Sequence, residues 1–260
     1  MSANNDTIGK TVTVTVLLCV ICSVVVSAAA VILKPKQVAN KDLDRKSNIL
    51  AAAGLMEQGK SVDELFAQIT TKVVDMETGK FTDAVDGATF DIQKASKDPA
   101  LSDALERSED IASIKRQPKY MPVYIVEGAN GEMDKVILPV HGYGLWSTLY
   151  GFLALEGDLN TVVGLGFYSH AETPGLGGEV DNPLWKATWP GKKVYADDLM
   201  DPQLGLIKGK VEASTPNAEY KIDGLSGATL TSNGVTNLVQ FWMGKNGYAP
   251  FLANLRAGGA

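Results

Sequence analysis

From Lys34 to Ala260 the chain contains no cysteine; its two thiols, Cys19 and Cys22, both lie in an apolar N-terminal run. Disulfides, thiolate zinc sites and protein-ligated iron–sulfur clusters are therefore excluded for everything beyond that run. Histidine is nearly as scarce, with only His141 and His170, which argues against a haem or a multi-histidine metal centre. Any redox group carried by this chain has to be organic. Basic patches with interleaved aromatics are missing too. With a net charge of −6 and 7% aromatic residues, nothing points to a nucleic-acid partner.

Charge is also absent between Thr11 and Leu33. As a helix this run would extend roughly 34 Å, enough to cross a hydrocarbon core of about 30 Å. We read residues 1–10 as a short tail and 11–33 as an uncleaved transmembrane anchor, with Lys10, Lys34 and Lys36 able to snorkel at its ends. Ala28-Ala29-Ala30 offers the alternative of a signal-peptidase site, but the apolar run continues beyond it. A lipoprotein signal fails, because large residues precede both cysteines. Cys19 and Cys22 share a helix face and read as small packing residues. Lys34, Lys36, Lys41, Arg45 and Lys46 follow the run, so the positive-inside rule alone would place the large domain in the cytoplasm.

Residues 34–120 read as a helical stalk, with Leu43, Ile49, Leu50 and Leu55 on one side, followed by the N-terminal part of a soluble domain. A short amphipathic piece (Val62, Leu65, Phe66, Ile69) is followed by a charged, weakly periodic tract around 94–116, which suggests surface helix and linker. The pattern changes at Met121. Val123–Val126 and Lys135–Val140 flank one turn, Gly128-Ala129-Asn130-Gly131. Trp146–Leu155 and Thr161–Tyr168 flank another, Glu156-Gly157-Asp158-Leu159-Asn160. Four strands joined by short turns imply an antiparallel meander. A helix is expected near Asp181 or Asn182 with Pro183 at its first position, a strand over Leu206–Glu212, and a final helix from about Ser232. The fold class is α+β: one N-terminal transmembrane helix, then a mixed domain with a meander and flanking helices.

Three blocks carry chemistry. In Asp223-Gly224-Leu225-Ser226-Gly227-Ala228-Thr229 a glycine-bearing turn enters a helix. Such a turn exposes a hydroxyl beside backbone N–H groups and a positive helix end, a favourable place for phosphate. The plainer reading is a loop with Thr231 or Ser232 as the helix cap. The second block is Glu172-Thr173-Pro174-Gly175-Leu176-Gly177-Gly178-Glu179. Its glycines allow backbone to approach a flat ring, and it lacks the spacing of a dinucleotide fingerprint. The third, Pro139-Val140-His141-Gly142-Tyr143-Gly144-Leu145-Trp146-Ser147, supplies an indole suited to stacking.

Together these blocks resemble the C subunits of the sodium-translocating NADH:quinone oxidoreductases (the Nqr complex), and the first is also similar to their Rnf-complex counterparts. The string D-G-L-S-G-A-T looks like the motif at which a flavin transferase esterifies FMN, through its phosphate, to the last threonine, here Thr229. The resemblance implies an FMN-binding domain over 121–260 with the flavin site within about 140–245. Asp223, Ser226, Gly227, Ala228, His141, Trp146, Glu172, Thr173, Leu176 and Gly177 would line the flavin or its phosphate, with Lys210 as a nearby cation. It further implies an electron carrier in a complex with the A, B, D, E and F subunits, which oxidises NADH, reduces ubiquinone and exports sodium. The domain would be periplasmic on a bacterial inner membrane, against the local charge rule. This chain itself has no nucleotide fingerprint for NADH and no ionisable group in its span to conduct sodium. A hydrolase built on Ser169, His170 and Glu172 is disfavoured, since neighbouring strand residues face opposite sides and no G-x-S-x-G elbow occurs. The alternatives are an Rnf-type electron-transport subunit with the same covalent FMN, or a non-catalytic membrane-anchored binding module.

Overall fold

The computed structural model describes residues 7–128 and 130–260, and the chain divides into two compact units, up to Asp44 and Arg45–Ala260.

The first unit is helical. Helix α1 runs from Ile8 to Ala52, and an 18-residue window within it has a mean hydropathy of 3.0 with none of its residues buried. The hydroxyls of Thr13, Thr15 and Ser23 donate to the carbonyls of Gly9, Thr11 and Cys19 at 2.7–2.8 Å. In a lipid environment, where each unpaired polar group is costly, such back-bonding satisfies them internally. Cys19 and Cys22 are free and exposed on this helix. Stalk and anchor are one element, so the boundary at Leu33 is compositional only.

The second unit begins with the last turns of α1. These end in a Schellman motif: the Leu55 N–H bonds to the Leu50 carbonyl, the Gly54 N–H to that of Ala51, and Gly54 has φ +66°. Next comes α2 (Val62–Phe66), opened by a Ser61/Glu64 capping box. β1 (Ile69–Asp75) and β2 (Lys80–Phe81) follow, then α3 (Ile92–Ala95) and an antiparallel pair, β3 (Ser102–Ala104) with β4 (Arg116–Pro118). The meander is β5 (Tyr120–Glu127), β6 (Met133–Tyr143), β7 (Thr148–Glu156) and β8 (Val162–Ser169). α4 (Pro183–Lys186), the parallel two-residue strands β9 (Gly205–Leu206) and β10 (Lys221–Ile222), α5 (Thr229–Met243) and α6 (Ala249–Arg256) complete it.

The main sheet has the order β2-β1-β5-β6-β7-β8, antiparallel throughout. Its residues alternate between two cores, as the two-residue period of a strand requires. Val136, Leu138 and Val140 of β6 join the core containing Leu238, Trp242 and Phe251 of α5 and α6. Ile137 faces the other core, with Ile49 and Leu50 of α1 and Leu65 of α2. Buried polar bonds pin α5 to the sheet and to the loop after α4. Trp242 Nε1 donates to the His141 carbonyl (2.6 Å), and the Tyr195 hydroxyl to that of Met243 (2.6 Å).

The α+β class, the meander and the helix opened by Asn182 and Pro183 agree with expectation; the Asn182 side chain accepts from the Leu184 N–H. Several details differ. Ile69 opens strand β1, paired with β5 over its full length, where the sequence places it in a short amphipathic piece with Val62, Leu65 and Phe66. Its run Ile-Thr-Thr-Lys-Val-Val is β-branched, and the charged stretches around it mask that signal. β7 starts at Thr148, so Trp146 lies in the turn before it. The expected strand over 206–212 stops at Leu206, and Gly209 turns the chain at φ +86°. α5 begins three residues before Ser232, at Thr229. The first expected turn falls partly on Ala129, which lies outside the described residues.

Candidate functional site

The site forms where the residues after β10 climb into α5. Asp223 anchors the climb: its Oδ1 accepts from the Val211 N–H (2.8 Å) and its carbonyl from Trp185 Nε1 (2.9 Å). Lys210, beside Val211, is exposed on a loop rather than a strand. Leu225 is buried, and its N–H donates to Ser232 Oγ (3.0 Å). Gly227 follows in the left-handed region (φ +71°), a conformation that suits glycine, with Leu176 lying where a Cβ would approach within 3.0 Å. Ala228 is the N-cap residue of α5, and no side chain caps the helix. Thr229 is the first helical residue and is exposed.

Four hydroxyls stand in this stretch, and they are not equivalent. Thr231 is fully buried and donates to Glu172 Oε2 (2.7 Å). Ser232 donates to the Ala228 carbonyl (3.0 Å) while accepting from Leu225. Neither is the N-cap that the polar run suggests, because both point into the packed interior. Only Ser226 and Thr229 are exposed, and Thr229 sits at the positive, uncapped end of a 15-residue helix. That arrangement fits a phosphate ester: an accessible hydroxyl with first-turn N–H groups that no side chain satisfies.

Glu172 organises the surroundings. Its residue is 5% exposed. Oε1 accepts from the N–H groups of Leu145 (3.1 Å), Trp146 (3.0 Å) and Ser147 (3.3 Å). Oε2 takes the Thr231 hydroxyl. Burial pushes this carboxyl up, but the Thr231 hydroxyl and the three peptide donors outweigh it and hold the pKa below the ordinary range. The loop around it is tied down as well. Ala171 N–H donates to Ser147 Oγ (2.7 Å), Glu172 N–H to His170 Nδ1 (3.2 Å), and the Thr173 carbonyl accepts from Leu176 and Gly178. His170 Nε2 pairs with Asp181 at 2.8 Å, so both its ring nitrogens serve this loop and none is left for a Ser169 nucleophile.

Ser226, Gly227, Ala228, Thr229, Leu176, Gly177, Glu172 and, through Glu172, Trp146 thus share one neighbourhood. Thr173 contributes its backbone, its side chain being exposed. Trp146 is 65% exposed, and Tyr143, Leu176 and Leu230 are also exposed apolar residues. His141 is placed differently. It is 3% exposed, with Tyr150 stacked at 5.3 Å on its ring and Trp242 tilted at 4.9 Å. No ring face is left for a flavin, and burial drives its pKa down to about 3. A histidine on a strand next to two glycines suggests a site, but β6 is covered on both faces from Val136 to Gly142, so His141 lies in the packed interior. Sequence reasoning does not find what Thr231, Gly144 and Trp185 do here. Their roles depend on contacts across the chain that local pattern does not encode.

A surface glycine turn leading into an uncapped helix, edged by exposed apolar residues, suits a ligand that joins a phosphate to an apolar ring system, the class of nucleotide-type cofactors. The FMN-binding domain family matches residues 144–244. The chain is 57% identical over 262 residues to the C subunit of the Na(+)-translocating NADH-quinone reductase of Pseudomonas aeruginosa, covering 99% of this chain and 100% of that one. It is 49% identical to the corresponding Vibrio anguillarum protein, covering 100% and 99%. The crystal structure of Shewanella oneidensis NqrC superposes with a TM-score of 0.77 at 33% identity, over 84% of this chain and 99% of that one. The chain belongs to the NqrC family of the Na(+)-translocating NADH-quinone reductases, and it is an FMN-binding, membrane-anchored subunit of that enzyme.

Proposed function

We propose that Thr229 carries FMN through a phosphoester and that the chain relays electrons within a six-subunit complex, between NADH and ubiquinone, while the complex exports sodium. The observation that carries this reading is the position of Thr229: exposed, first in α5, at an uncapped positive end, while Thr231 and Ser232 are bonded internally. Bound flavin supplies the electron-transfer chemistry. The protein's residues do the rest. First-turn N–H groups of α5 and the helix dipole would hold the phosphate, Gly227 would let the chain turn tightly beside it, and Trp146, Leu176 and Leu230 would offer apolar surface to the ring system. Asp223 anchors the motif through its bond from the Val211 N–H, and Lys210, the residue before Val211, is an exposed cation.

Ester formation joins Thr229 Oγ to the flavin phosphorus. The hydroxyl proton and the group leaving phosphorus depart, so the chain gains FMN less one water. The reaction needs an activated flavin nucleotide and a flavin transferase. We place the domain outside the cytoplasm with the A, B, D, E and F subunits as partners, since long domains can cross despite flanking positive charge. The decisive experiment is a denaturing gel viewed by flavin fluorescence, from cells with and without the transferase. A fluorescent band only with the transferase, and a mass increase located on Thr229 after digestion, is the expected result. A non-fluorescent chain at its unmodified mass in both would overturn the proposal.

A further inference from the structure

The three sequence blocks meet at one carboxylate, and the packing there leaves no slack. A Cβ on Gly144 would lie 2.7 Å from Glu172 Oε1, and one on Gly177 would lie 2.5 Å from Thr231 Oγ1 and 2.7 Å from Glu172 Oε2. One glycine comes from the turn before β7 and the other from the loop after β8. The N–H groups of Leu145, Trp146 and Ser147 converge on Oε1, a nest of successive backbone donors around an anion. On the opposite oxygen sits Thr231, two residues along α5 from Thr229. With four donors on its two oxygens, the Leu145 N–H being shared between both, and 5% exposure, Glu172 has little capacity left to bind a ligand.

We propose that Glu172 does not contact the flavin but is the positioning residue of the acceptor site. Its carboxylate couples the Trp146 turn to the first turn of α5, so that the indole bordering the flavin and the hydroxyl that receives it are set in place together. This rests on the assignment of Thr229 as the acceptor and adds how the acceptor is held. All of these hydrogen-bond donors are neutral groups, so the carboxylate's charge is stabilised by dipoles alone, and loss of one donor frees the carboxylate to shift away from the position that serves the others. A bare helix end frays within its first turn. Here the Thr231–Glu172 bond stops that fraying within one turn of the reacting hydroxyl. The same carboxylate holds the 145–147 turn to α5 from a loop distant from both in sequence.

The test uses the full-length chain, isolated without flavin and then mixed with a limiting amount of flavin transferase and its flavin nucleotide donor. Initial labelling is read by intact mass, and backbone amide exchange is read in the unlabelled chain. Glu172→Gln keeps the side-chain shape and removes the charge, and Thr231→Val removes only the hydroxyl. Labelling of each should slow by about tenfold to a hundredfold, the range seen when supporting contacts of a site are lost. Thr231→Ser should restore it, and the double variant should be no slower than Glu172→Gln alone. The most discriminating readout is remote. Thr231→Val alters none of the 145–147 residues, yet exchange of their amides should accelerate because their acceptor is loosened. Wild-type labelling rates in both variants, or unchanged exchange at 145–147 in Thr231→Val, would overturn the proposal. If Glu172→Gln does not fold, the Thr231 pair decides alone. If the wild-type chain acquires no flavin at Thr229, the acceptor assignment fails, while the exchange arm still judges the coupling.

Discussion

The hydroxyl of Thr231 donates across 2.7 Å to Glu172, a residue 59 positions earlier in the chain, and that bond is wholly buried. It joins the loop after β8 to the start of α5. A threonine that reads as a helix cap therefore acts as a tertiary tie, which leaves the helix end available for an anion.

The charge on Glu172 makes the tie sensitive to acid. Its pKa is depressed in the folded state, relative to about 4.3 for an unperturbed glutamate. The folded state therefore binds its proton less readily than the unfolded chain. The associated stability is complete above the unfolded value and is lost as pH falls through the lower, folded one. Urea midpoints of the wild type should fall with pH in that acid window, and the Glu172→Gln profile should be flatter there. A parallel fall in both proteins would show that Glu172 is not the titrating group.

His141 should contribute over a wider window. Its neutral form is enforced by burial, with a folded pKa of about 3 against roughly 6.5 in an unfolded chain. Between those values the unfolded chain takes up a proton that the folded one refuses, so stability declines as pH drops from about 6.5 towards 3. Among the described residues its Nε2 has no hydrogen-bond partner. His141→Phe should thus flatten this part of the profile without a large loss at neutral pH, and flavin content should be unchanged. A His141→Phe protein that folds but takes up no flavin would return the residue to the site.

Two glycines of one loop should respond in different degree. Gly175 has φ +77° and, among the described residues, open space where a Cβ would stand, whereas Gly177 has Thr231 and Glu172 in the way. Gly175→Ala should cost about 1–2 kcal/mol, the left-handed penalty alone. Gly177→Ala has to displace a buried hydrogen bond, and overpacking of about 1–3 kcal/mol adds to the weakened Glu172 network. Denaturant midpoints measure both, and only the Gly177 variant should slow flavin uptake.

The meander is legible because Gly- and Asn-bearing turns punctuate β-branched runs, and α5 is legible because Val235, Leu238, Val239 and Trp242 recur at helical spacing. β1 is not. Its pairing with β5 joins segments far apart in sequence, and nothing local to 69–75 announces the partner. The same distinction holds at the site. Thr229, Gly227 and Leu176 stand within motif strings, but the Glu172–Thr231 bond and the burial of His141 are set by which strand faces which helix. Packing on both faces of β6 buries His141, whereas Trp146 lies beyond the strand in the following turn and is exposed.

The side of the membrane on which the second unit lies can be tested with Asn130→Cys, at an exposed position in the β5–β6 turn. Cys19 and Cys22 belong to the apolar span, where an impermeant thiol reagent does not reach them. Intact cells with a permeabilised outer membrane should label the new thiol fully. Labelling only after lysis of the inner membrane would mean that the positive charges following the span prevail.

Thr229→Val separates the two roles open to this threonine. Valine keeps the β-branched shape while removing the hydroxyl, and position 229 is exposed, so stability should change by no more than about 0.5 kcal/mol. If the hydroxyl is only a polar surface group, the variant should behave as the wild type. As the flavin acceptor its loss is complete: a folded, colourless chain at its unmodified mass, and no electron transfer through this subunit. Ser226→Ala is the matched control, because Ser226 holds the other exposed hydroxyl of the motif. It should still take up one FMN, recovered on Thr229 after digestion. A yellow Thr229→Val protein with its flavin on Ser226 would move the attachment point three residues towards the turn, leaving the N-terminus of α5 as the phosphate-binding element.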